Sequence, residues 1–176
     1  MSRIFLLTLL GALALPSMAQ TMKPTQRFSV GAGSFYPGGS DNNRHSNTSF
    51  TYWPGFHGGT FTRLVSVYLD TNRRKTVTGT GTTAVTKAMA TQGLGLSFKA
   101  NILPFTCPGI YQIVGIGFYQ RRVSEGTAHT TGYSPGGKFG VGYQQGSLFV
   151  EADYTVVGHI KNNDPSGLGL RVGVRF

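Results

Sequence analysis

The chain has 176 residues and a formal net charge of +10, from Lys+Arg 16 against Asp+Glu 6. Charged residues make up only 12%, while glycine numbers 26 and aromatic residues reach 12%, which is not the composition of an ordinary soluble domain. Beyond the N-terminus no apolar run approaches the roughly 18 residues that a membrane-spanning helix needs, which excludes a helical membrane protein. The single cysteine, Cys107, excludes an intrachain disulfide.

Arg3, the apolar stretch Ile4 to Leu15, Pro16 and the small-residue pattern Ser17-Met18-Ala19 follow the three-part plan of a signal peptide. Cleavage is expected after Ala19, which assigns residues 1–19 to the leader and 20–176 to one exported domain of about 157 residues. No cysteine precedes the cleavage site, so a lipoprotein anchor is not expected. Export also removes the protein from nucleic acid, the partner that a charge of +10 would otherwise suggest.

From here the chain repeats one signal, alternation at period 2 over about ten residues followed by a cluster of turn formers. The first strand carries Phe28, Val30 and Ala32, and a long connection runs from Pro37 to Thr48. Val65, Val67 and Leu69 alternate with Ser66, Tyr68 and Asp70, and a second long connection spans Thr71 to Ala88. Leu94, Leu96, Phe98, Ala100 and Ile102 alternate with Gly93, Gly95, Ser97, Lys99 and Asn101. The proline-bounded turn Pro104 to Pro108, which contains Cys107, precedes Ile110, Gln112, Val114, Ile116 and Phe118, set against Gly115, Gly117, Tyr119 and Arg121. After a third long connection, Arg122 to Gly137, come Phe139, Val141 and Tyr143 against Lys138, Gly140, Gly142 and Gln144. The tight turn Gln144-Gln145-Gly146 leads to Leu148, Val150, Ala152, Tyr154 and Val156 against Glu151, Asp153 and Thr155. A fourth long connection, Gly158 to Gly167, leads to Leu168, Leu170, Val172, Val174 and Phe176 against Gly169, Arg171, Gly173 and Arg175.

These are seven strands, and a chain that enters and leaves a barrel on one side needs an even number. The eighth is expected at Ser49 to Gly55, where Pro54 suits a strand end; the rival is the Thr- and Val-rich segment Thr76 to Thr86. Alternation alone fits a soluble barrel with polar residues outside as well as a membrane barrel with apolar residues outside. The leader, the charged small-residue face and the apolar, aromatic chain end favour the second. The fold class expected is all-β: a closed antiparallel up-and-down transmembrane β-barrel of eight strands, with short turns on one side and the four long connections on the other.

On these residues the chain resembles the small outer-membrane barrels of the outer-membrane protein A-like type. The resemblance rests on Phe28-Ser29-Val30-Gly31-Ala32-Gly33, on Leu148 to Tyr154 and on the ending Gly169 to Phe176. It implies the outer membrane of a Gram-negative-type bacterium, with lipid and lipopolysaccharide as surroundings. It also implies that Phe176, Val174 and Val172 are read by the barrel assembly machinery, after periplasmic chaperones have carried the chain. A monomer is expected, with no peptidoglycan-binding domain after the barrel.

Eight strands enclose a space that side chains can fill. Glu151, Asp153, Arg171, Arg175, Lys99 and Arg121 all fall on the inward face, and the simplest hairpin register sets Asp153 beside Arg171. A lumen plugged by paired charges is the expectation, since an unpaired charge there is costly; a gated ion path is the alternative. Arg73, Arg74, Lys75 and Lys87, read as one long loop, would face the phosphate-bearing outer leaflet and contact lipopolysaccharide by charge complementarity. The pairs Gly93/Gly95, Gly115/Gly117 and Gly140/Gly142 lie within strands and open no helix, so they are not nucleotide-binding turns. Of the histidines at 45, 57, 129 and 159, only His159 stands near the rim with polar neighbours. Lys161 occupies the place where the lipid A deacylase pattern has its serine, and Ser166 lies across a turn, so catalysis is not expected. Neither a metal nor a cofactor is expected, because the histidines are scattered. The functional expectation is a non-catalytic barrel with a structural or surface-interaction role, against a small pore or a lipid A-modifying enzyme.

Overall fold

The structure is a computed structural model that describes residues 27–38, 44–54, 65–78, 85–103, 107–160 and 164–176; of Asn101, Leu103, Cys107 and Pro108 it describes the backbone alone. The expected leader, His57, Gly55 and Lys161 lie outside these residues. Eight strands follow one another: β1 (Phe28–Pro37), β2 (His45–Tyr52), β3 (Val65–Thr78), β4 (Val85–Leu103), β5 (Cys107–Glu125), β6 (Ala128–Gln145), β7 (Leu148–Val157) and β8 (Gly167–Arg175). Each pairs antiparallel with the next, and β8 returns to β1, so the sheet closes into a barrel. At the closing seam Phe28 and Phe176 exchange backbone hydrogen bonds of 2.9 and 2.8 Å.

The eighth strand is therefore β2, four residues earlier than expected and ending before Pro54. Its register explains the shift, since Phe50 pairs with both Val30 and Leu69 and continues their apolar row. Of the rival segment, Thr76 to Thr78 end β3 and Val85 and Thr86 open β4, and residues 79–84 lie outside the described residues. Two of the expected long connections need correction. Residues 71–88 and 122–137 are largely strand, because β3 pairs with β4 as far as Thr78↔Val85 and β5 with β6 as far as Glu125↔Ala128. The Gly126-Thr127 turn needs only two residues because Gly126 adopts a φ of 57°. Gly146, with a φ of 61°, closes β6 to β7 in the same way, so the tight turn is Gly146-Ser147 and Gln144 and Gln145 belong to β6. Cys107 opens β5 rather than sitting in a turn.

Alternation decides the two faces. Leu168, Leu170, Val172, Val174 and Phe176 are exposed, while Arg171 and Arg175 are buried. Ala100 departs from the pattern, because it belongs to the outward set and yet is buried. Successive outward rows, read across β2 to β5, change character along the barrel. Phe50↔Leu69↔Leu94↔Phe118 is apolar, Thr48↔Thr71↔Gln92↔Gln120 is polar, and Ser46↔Arg73↔Ala90↔Arg122 carries cations. At the opposite end the Phe28 ring lies 5.0 Å from Tyr52, 5.9 Å from Phe50 and 6.1 Å from Phe176. An apolar band bounded by aromatic and polar rows on an outer surface is what a bilayer selects.

Inward glycines make room for inward rings. A Cβ added at Gly142 would collide with the Tyr111 ring, and one at Gly93 with the Tyr119 ring. Gly142→Ala is expected to lower stability by about 1–3 kcal/mol through overpacking, measured by denaturant unfolding from lipid vesicles; an unchanged midpoint would mean that Tyr111 moves aside without cost.

Candidate functional site

The barrel interior gathers residues from six strands. Arg171 on β8 is its centre: Nε donates to Glu151 Oε2 at 2.9 Å, Nη1 lies 3.3 Å from Asp70 Oδ1, and Nη2 is paired with Asp153. Lys99 on β4 pairs with Glu151, and Lys138 on β6 lies 2.8 Å from Asp70. Tyr111 donates to Glu151 Oε1 at 2.8 Å. Three cations and three carboxylates thus form one connected, buried and charge-balanced network. Such groups are tolerable in a narrow interior only because each charge faces an opposite one.

Aromatic rings border the network. Lys138 Nζ stands 3.5 Å from the centroid of the Tyr68 ring, whose hydroxyl is 2.9 Å from that of Tyr119. Toward the chain-terminal end, Lys99 lies over Trp53 at 5.4 Å and Arg175 stacks on the same indole at 4.4 Å. Arg175 also donates to Gln144. At the other end Ile160 is buried against Tyr119 and Val157. The connection carrying Ile160 is tied down by Ser166, whose hydroxyl accepts from Val157 N at 3.0 Å and donates to Val157 O at 3.3 Å. Hydrogen bonds from Ser166 in turn hold the Asp164 carboxyl below the ordinary carboxylate range.

All six inward candidates are buried, and the structure joins four of them, Lys99, Glu151, Asp153 and Arg171. Arg175 stands apart on Trp53, and Arg121 lies toward the other end, with Nη2 3.3 Å from Met89 Sδ. The expected register needs correction: Arg171 is opposite Glu151, and Asp153 is opposite Gly169. A shift of two residues leaves every side chain on its face, and the long arginine reaches both carboxylates. Sequence reasoning did not single out Asp70, Lys138, Tyr111 or Trp53. Asp70 and Lys138 do stand on the inward side of the alternation.

No protein-family profile matches the chain, and no curated protein matches its sequence. Solved structures do match. Ail, the attachment invasion locus protein of Yersinia pestis, solved with the heparin analogue sucrose octasulfate, superimposes with a TM-score of 0.57 at 12% identity, covering 86% of this chain and 97% of that one. The N-terminal β-barrel domain of Pseudomonas aeruginosa OprF gives 0.52 at 15% identity, over 86% and 98% of the two chains. Neisserial surface protein A gives 0.52 at 15%, over 84% and 94%. The fold is that of the small outer-membrane barrels.

In this eight-stranded outer-membrane fold the second group of candidates also changes place. Arg73, Arg74, Lys75 and Lys87 lie on β3 and β4 rather than in a loop, on opposite faces of the sheet. Arg73 and Lys75 point outward; Lys87 is on the other face, 3.3 Å from Glu125. Among the described residues no group of three or more His, Cys, Asp or Glu could hold a metal. His45 is buried beside Phe35, His129 lies 3.0 Å from Ser124 Oγ, and His159 is exposed. The Ser166 hydroxyl, that of the nearest serine in sequence to His159, is occupied by the Val157 backbone.

Proposed function

We propose that this protein is a non-catalytic barrel of a Gram-negative-type outer membrane, reached after removal of residues 1–19. Its lumen is plugged by charge pairs, and its role is structural or one of surface interaction. The observation that carries this reading is the closed interior. Arg171, Lys99, Lys138 and their three carboxylates fill the middle, with Trp53 and Ile160 buried at either end. An open path for ions would need hydrated, exposed charges; here every member of the network is buried. The hairpins of β3–β4 and β5–β6, which run past their shorter neighbours, face the cell exterior and are the surfaces available for contact. Phe176, Val174 and Val172 serve as the signal for the barrel assembly machinery, reached with the help of periplasmic chaperones, and the folded protein is a monomer.

Planar-bilayer recording tests the plug. The purified barrel is expected to give no discrete conductance steps at any voltage that the bilayer withstands. Regular steps that change on Arg171→Ala would instead make it a small pore with a charged filter.

A further inference from the structure

The outward face just beyond the apolar band holds a cleft of about 330 Å³, open on one side, lined by Arg73, Lys75 and Arg122 with Ala88 and Ala90 between them; Arg74 and Met89, which alternate onto the other face, also border it. The sheet register builds it. Arg73↔Ala90↔Arg122 is one row and Lys75↔Ala88↔Ser124 the next, so two guanidinium groups flank a methyl-sized floor. Neighbouring strands lie about 4.8 Å apart, which separates the two arginine backbones by roughly 10 Å, a gap that one tetrahedral anion gripped from both sides can bridge. Among the described residues no carboxylate pairs with Arg73, Lys75 or Arg122. Asp70, Glu151 and Asp153 are consumed inside, Glu125 is paired with Lys87 on the opposite face, and Asp164 is bonded to Ser166.

Depth identifies the ligand. Arg73 is four residues beyond Leu69 along β3, about 13 Å of strand, and barrel strands tilt by about 40°, so its backbone stands roughly 10 Å above the last apolar row. The polar row between them, with Gln120 donating to the Tyr133 hydroxyl at 3.0 Å, marks the boundary. A cation on the lateral wall at that height faces lipid headgroups rather than open solvent. We infer that Arg73 and Arg122, assisted by Lys75, bind the phosphate of a phosphorylated outer-leaflet glycolipid approaching from the side. This rests on the outer-membrane reading and gives that surface a defined ligand. It also replaces the loop of Arg73, Arg74, Lys75 and Lys87 by the three cations that share a face.

The test places the refolded full barrel in phosphatidylcholine nanodiscs and titrates phosphorylated lipid A, or the same lipid with its phosphates removed, counting bound lipid by native mass spectrometry. A heat-dependent gel shift is scored first; its absence would remove the outer-membrane reading and this site with it. With a folded barrel, the phosphorylated lipid is expected to bind preferentially. The double variant Arg73→Gln, Arg122→Gln should lose about tenfold or more in apparent affinity, while Lys87→Gln keeps wild-type binding. Ala90→Glu, which sets a carboxylate between the two arginines, should lose binding too and serves if the double variant folds poorly. Equal binding of the dephosphorylated lipid, an unaffected double variant, or an equal loss in Lys87→Gln would each overturn the site. Competition by sucrose octasulfate or inorganic phosphate as strong as that by the lipid would assign it to a soluble anion instead, and overturn the proposal.

Discussion

Replacing Arg171 by alanine is expected to destabilise the barrel by about 3–5 kcal/mol, the range for removing one partner from a buried ion pair. The arginine is the shared partner of Asp70, Glu151 and Asp153, so its loss strips one cation from three carboxylates at once. Lys99 and Lys138 remain, each already paired with a single carboxylate, and neither holds Asp153. Three buried negative charges would then face two positive ones in an interior shielded by burial. Unfolding in denaturant from lipid vesicles measures the loss, and the temperature of the gel shift follows it. Arg121→Ala supplies the contrast. Its side chain is also buried, but it lies outside the carboxylate network, and a smaller loss is expected. Equal losses at the two positions would mean that sharing three carboxylates gives Arg171 no special weight.

The sequence made the strand faces legible because lipid contact and lumen contact differ so sharply in polarity. At Leu148 to Val156 and Leu168 to Phe176 one face is wholly apolar while the other holds Glu151, Asp153, Arg171 and Arg175, and that contrast survives any uncertainty of register. Beyond the bilayer the contrast vanishes. Arg73 to Thr78 and Arg122 to Glu125 are predominantly polar on both faces, so period 2 is lost although pairing continues, and these segments look like loops. The network was legible only as a set of inward positions. Lys138 and Asp70 are 68 residues apart, and Arg171 and Asp70 are 101 apart. Which inward residues meet across the lumen depends on the stagger of all eight strands, which no local pattern records. The cationic cleft was half legible for the same reason. Arg73 and Lys75 stand out in sequence, but Arg122 joins them only through the pairing of β4 with β5.

Stagger also fixes the depth of each outward residue, and depth makes the second large effect a gradient rather than a single value. Ile116 sits in the row Val67↔Leu96↔Ile116 with 63% of its surface exposed. Were that surface to face water, Ile116→Arg would remove an exposed apolar side chain and change stability by no more than about 0.5 kcal/mol. Facing lipid near mid-depth, the same substitution is expected to cost about 2–4 kcal/mol, because the guanidinium must be hydrated inside hydrocarbon. Gln120→Arg, four residues along the same strand and in the polar row, is expected to cost about 0–1 kcal/mol. Phe118→Arg, between them, should fall between those values. Denaturant unfolding of the three variants from vesicles gives the profile directly. A decline from Ile116 to Gln120 locates the bilayer edge below the Arg73–Arg122 row, as lateral capture of a lipid phosphate requires. A flat profile would remove both the lipid-facing assignment and the height argument on which that capture depends.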